Sequence, residues 1–73
     1  MIKANTFSTQ ILDDEFIQYP ITVTYDYVIR LFVTQIVAFE YYIDATAKLS
    51  KGDLDSIVKD LVKSEEGTQI DFI

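Results

Sequence analysis

The chain has 73 residues, with 6 basic against 12 acidic for a formal charge of -6, and neither cysteine nor histidine. That length holds one domain, and the missing residue types remove a disulfide framework, a thiolate nucleophile, the usual transition-metal ligands and the commonest general base. A surface of this charge is repelled by phosphate backbones and anionic membranes, so no direct nucleic-acid binding and no membrane attachment are expected, and a basic partner is. The composition is 49% hydrophobic and 14% aromatic. So short a chain cannot bury all of that in its own core, and the natural use of the surplus is burial against a partner or a second copy.

Residues 2–11 are rich in Thr, Ser and Asn, with a weak alternation through Lys3, Asn5, Phe7, Thr9 and Ile11. The alternation predicts a first strand at a sheet edge. Behind Lys3 there is no apolar run of the kind that targets a chain for export, and Asp26, Arg30, Glu40 and Asp44 interrupt the one stretch long enough to span a membrane. A cytoplasmic protein is expected. Leu12-Asp13-Asp14-Glu15-Phe16 reads as an acidic turn, and Pro20, which lacks an amide donor, suits the first position of the strand that follows.

From Ile21 to Leu49 every odd-numbered residue is apolar except Gln35. On an extended chain, alternate side chains point to opposite faces, so this parity buries one face of a sheet through two long segments. The β-branched and aromatic run Ile21-Thr22-Val23-Thr24-Tyr25, with Tyr27, supports strands. An alternative is one long helix over residues 27–48, with Arg30, Thr34, Tyr41, Asp44 and Lys48 on one side and Ile29, Phe32, Ile36, Phe39 and Ile43 opposite. The period-2 pattern is favoured because it starts before such a helix would, and because β-branched residues lose rotamer freedom in a helix.

No Gly, Asn or Asp marks a turn near residues 34–36. Folding back around Gln35 preserves the odd parity. It sets Arg30 opposite Glu40, Thr24 opposite Thr46, Val33 opposite Val37 and Leu31 opposite Phe39, with Asp26 facing Asp44 as an unfavourable pair.

The C-terminal third carries local signals of a helix. Leu54, Ile57, Val58, Leu61 and Val62 recur as one apolar stripe, Ser50 is placed to cap the start, and Asp53 complements the helix dipole. Gly67 suits the left-handed position beyond the end. The segment 68–73 alternates briefly and reads as a short last strand or a tail.

Catalysis finds few parts. Asp26 with Asp44, or Asp13 with Asp14 and Glu15, are the only candidate acid–base groupings, and they read more simply as a polar-face pair and a solvated turn. Gly52 and Gly67 are the only glycines, too few for a phosphate-cradling loop. Asp53 and Asp55 have the spacing of part of a calcium loop without its later ligands or central glycine, and read as helix N-terminal charges. No enzyme activity, cofactor or metal is expected.

The even face of the hairpin is polar at its ends through Thr22, Thr24, Asp26, Asp44, Thr46 and Lys48, but not in its middle. Val28, Phe32, Ile36, Ala38 and Tyr42 make an apolar patch there, rimmed by Asp26, Arg30, Glu40 and Asp44. Apolar centres enriched in aromatics with a charged rim are how interfaces are built. The competing reading folds Phe7, Ile11, Phe16, Ile17 and Tyr19 across this face as a second core layer.

The expectation is an α+β domain, an antiparallel sheet of three or four strands with one C-terminal amphipathic helix on its odd face. The expected function is stoichiometric binding of a larger protein with a basic surface. One form is an inhibitor that presents carboxylates where a nucleic acid's phosphates would lie. The expected contacts are Val28, Phe32, Ile36, Tyr42, Asp26, Glu40, Asp44, Asp13, Asp14 and Glu15. The alternative is a structural homodimer or higher homo-oligomer that pairs through the even face.

Overall fold

The computed structural model describes residues 1–67 and 69–73. Thr68, the first residue of the expected final alternation, lies outside the described residues. Strands β1 (Lys3–Leu12), β2 (Gln18–Arg30) and β3 (Val33–Ile43) form an antiparallel meander, followed by helix α1 (Lys51–Glu66) and a short strand β4 (Ile70–Phe72). The sheet order is β1-β2-β3-β4, with β4 parallel to β3. The fold is the expected α+β arrangement, with the sheet mixed rather than wholly antiparallel. A parallel neighbour needs a crossover, and α1 supplies it.

The helix forms where its local signals place it. Ser50 has extended backbone and its hydroxyl accepts from the Asp53 N–H at 3.1 Å. Gly67, at φ 65°, closes the other end by donating to the Lys63 carbonyl at 3.0 Å. The stripe turns Val58 and Val62 onto Ile21, Val23, Tyr25 and Ile36, and these six side chains are the fully buried core. Leu54, Leu61, Phe7, Ile11, Phe39 and Tyr41 pack around it half-buried.

Residues 27–48 are not one helix. The strand reading holds, but its turn is not at Gln35. The chain reverses at Leu31-Phe32, so Arg30 pairs with Val33, Thr24 with Glu40 and Asp26 with Ala38. Asp26 and Asp44 therefore never face each other. The register shifts between Asp26 and Tyr27, whose partners are Ala38 and Ile36, and Val37 is the extra residue of a β-bulge. A bulge exchanges the two faces of the strand beyond it. Phe39, Tyr41 and Ile43 keep odd parity toward the helix, whereas Thr34 and Ile36 reach the core with even parity.

The helix is tied to the sheet by polar contacts at both ends. The Tyr25 hydroxyl donates to Glu66 and accepts from the Asn5 amide at 3.0 Å, and the Tyr41 hydroxyl donates to Asp55 at 3.1 Å. Burial, then the bond to Glu66, pushes the Tyr25 phenol up to about 12 from its ordinary 10.0.

The folded state thus holds this proton more tightly than the unfolded chain does. The resulting stability is complete below pH 10 and lost as pH rises through about 12. Tyr25→Phe is expected to lower stability by about 1–2 kcal/mol at neutral pH and to flatten the alkaline loss, read by chemical denaturation at pH 7 and above pH 10.

Candidate functional site

The sheet has one helix and therefore one uncovered face. The N-terminal segment does not fold across it but pairs edge-on with β2. The outer face carries Thr6, Ser8, Thr22, Thr24, Asp26, Glu40 and Tyr42, with hydroxyls bonded across the strands from Thr6 to Thr24 at 3.0 Å and from Ser8 to Thr22 at 3.1 Å. A hydroxyl ladder of this kind satisfies the side chains without apolar burial. It is a solvated surface rather than a second core.

The expected apolar patch is not assembled. Ile36, expected at an interface, is 2% exposed inside the core, because the bulge sends it to the helix side. Phe32 sits in the turn, and of the rest only Val28, Ala38 and Tyr42 remain on the outer face. Asp13, expected as a contact residue, is only 5% exposed.

Asp13 accepts the backbone N–H groups of Glu15 and Ile17, both at 2.9 Å, and of Lys48 at 3.1 Å, pinning the β1–β2 turn to the loop that leads into α1. Burial pushes its carboxyl up, but the N–H groups of Lys48, Ile17 and Glu15, with the charge of Lys48, outweigh that and hold it below its ordinary 3.8. Asp14 and Glu15 stay exposed beside it.

Asp26 and Glu40 come together on the outer face. Asp26 faces Ala38 and Glu40 faces Thr24, so the two carboxylates are diagonal neighbours, roughly 7–8 Å apart by sheet geometry. They border a shallow depression of about 170 Å³ with Thr24, Ala38 and Phe39. Asp44 lies elsewhere, beside Pro20, Thr22, Tyr42 and Ala45. Its carboxylate accepts from the Thr46 N–H at 2.8 Å and hydroxyl at 2.7 Å, bonds that hold its pKa below 3.8. Among the described residues no three acidic side chains group as a metal site would require.

The feature that sequence reading missed is the β2–β3 turn itself. Leu31 and Phe32 are 92% and 96% exposed, and both have positive φ, 50° and 67°. Two-residue hairpin turns favour such backbone, but usually recruit Asn-Gly, because a side chain in the left-handed region is crowded against its own carbonyl. Another non-glycine residue of this kind among the described residues is also a bulky exposed one, Phe16 in the β1–β2 loop, at φ 61°. Each of these positions is unfavourable in two ways, by backbone strain and by exposed apolar surface. Compared with models of known protein families, with curated proteins and with solved structures, the chain matches none.

Replacing the turn pair by Leu31→Asn with Phe32→Gly is expected to raise stability by about 1–3 kcal/mol, measured by denaturant unfolding, because it relieves two left-handed residues. Asp13→Asn is expected to lower the thermal midpoint near neutral pH. Because the Asp13 pKa is depressed on folding, its stabilisation is present above pH 3.8 and lost as pH falls through its lower folded value. The gap between wild type and variant should therefore close in acid.

Proposed function

We propose that the protein acts by stoichiometric binding of a larger protein that has a basic surface. The Leu31-Phe32 turn is the apolar anchor and the Asp26–Glu40 face is the charged contact. The single observation that carries this reading is the turn, where two of the bulkiest apolar side chains are held nearly fully exposed on strained backbone. The register requires a tight turn here, but the fold gains nothing from leucine and phenylalanine occupying it. Strain and exposed apolar surface concentrate where a surface is shaped to meet something else.

Aromatic and aliphatic anchors that enter a partner's pocket carry most of the energy of an interface. Carboxylates beside them steer the encounter and set its sign. Asp26 is five residues before Leu31 on the same hairpin, about 17 Å along an extended chain, within the span of one standard protein interface. Tyr42 extends the outer face with an exposed ring. A basic nucleic-acid-binding surface is the partner whose charge fits best, and occupying it would block the nucleic acid.

The test titrates the protein against purified basic nucleic-acid-processing enzymes and reads loss of their activity with stoichiometry. Leu31→Asn with Phe32→Gly should abolish the inhibition while making the protein more stable, separating binding from folding. Asp26→Lys with Glu40→Lys should slow association and remove its salt dependence. Inhibition unchanged in both variants would overturn the proposal.

A further inference from the structure

The two edges of the sheet are finished differently. β4, at one edge, is three residues long and pairs only with Thr34, Gln35 and Ile36, and the rest of β3 on that side has the bulge at Val37 and the charge of Glu40. Short edge strands offer little to pair with. β1, at the other, has ten residues paired to β2 on one side only, without proline or bulge, and Lys3 is its only charge in a chain with twice as many acids as bases. Its outer row of backbone donors and acceptors is an open template for another strand.

We propose that this strand is filled by the β1 strand of a second copy, antiparallel, joining two sheets into one of eight strands about a two-fold axis at Phe7. Opposed residues of an antiparallel pair share a face, so pairing residues whose numbers sum to 14 keeps both helices on the same side. In that register β1 is its own complement. On the outer face Thr6 meets Ser8 of the second copy, carrying the hydroxyl ladder through the seam, and Ile2 meets Leu12. Ile2 and Leu12 are exposed apolar residues in the single chain, 65% and 54%, and they cover each other here. On the helix side Phe7 meets its own counterpart, closing the side of the core where Phe7 and Leu61 are only half-buried beside an open groove.

Lys3 finds an opposite charge in the same register. Lys3 falls opposite Ile11 of the second copy, beside the turn that displays Asp14 and Glu15. The two-fold axis makes that contact twice. A second copy matches the apolar ends and the Lys3 contact as well as the backbone row.

Sedimentation equilibrium from micromolar to millimolar concentration should show a dimer. Thr6→Lys with Ser8→Lys changes two exposed side chains and sets lysines opposite each other across the seam. It should raise the dimer dissociation constant at least about tenfold while leaving the far-ultraviolet spectrum unchanged. Lys3→Glu should weaken the dimer, as should Asp14→Lys with Glu15→Lys. An equimolar mixture of these two variants should associate again, because both ends of the mixed pair are then complementary. Phe32→Asp, remote from the seam, should leave the dimer intact, so this interface fails or stands separately from the turn's role in binding. A monomer throughout the range would overturn the proposal. So would a dimer indifferent to the lysine pair, or one dissociated by Phe32→Asp.

Discussion

The placement of Ile36 and of the Leu31-Phe32 turn depends on Val37. As the extra residue of β3 it exchanges the faces of the strand, so that Ile36 and Thr34 join a core to which β1, β2 and the rest of β3 contribute odd positions. Without that exchange, Val33, Gln35 and Val37 would lie under the helix and Ile36 would face water. Burying Ile36 completes a core of six fully buried apolar side chains among the described residues. In a domain this small, one such residue is a large share of the available stability. The register that buries it brings Arg30 opposite Val33 and leaves only Leu31 and Phe32 to make the turn. The strained, exposed pair is thus the local consequence of a packing choice made on the opposite side of the sheet.

That link explains why the turn has left-handed backbone. It does not explain why leucine and phenylalanine occupy it. Asn-Gly would serve the same register with less strain and less exposed apolar surface, and Phe16 repeats the pattern in the β1–β2 loop. The chain has one asparagine and two glycines, and none of these makes either hairpin turn. A fold with a small core that places bulky apolar residues at its least favourable backbone positions has given up stability there. Recognition is the reading under which these residues have a use.

The elements that could be read from the sequence are those whose signals are local. Ser50, Asp53, the Leu54 to Val62 stripe and Gly67 each act within a turn or two of helix, and the helix lies where they place it. The odd parity of Ile21, Val23 and Tyr25 located the face it covers. The β2–β3 turn carried no such signal, since Leu31 and Phe32 are ordinary strand residues and only the core determines that they turn. Asp13 was legible in principle. An aspartate that closes a strand and precedes two more polar residues has the pattern of a side chain that bonds the amides ahead of it, and Asp13 does so at Glu15 and Ile17. Its third bond, to Lys48, bridges thirty-five positions and is invisible to any local pattern.

The Leu31-Phe32 turn and the proposed β1 seam are geometrically independent, and together they would fix a valency. β1 pairs with β2 so that Lys3 lies beside Tyr27, which places the Leu31-Phe32 turn beyond the N-terminal end of β1. A two-fold axis at Phe7 reverses that direction in the second copy, so the two turns project from opposite ends of the joined sheet. Each protomer is 41 Å along its longest axis. Two anchors so far apart and pointing away from each other cannot enter neighbouring pockets on one small surface. The dimer would engage two separate partner molecules, or two well-separated sites of a large symmetric one. Only in the second case does joining the copies strengthen binding, because a second contact becomes intramolecular only when the spacing of the sites matches the span between the anchors.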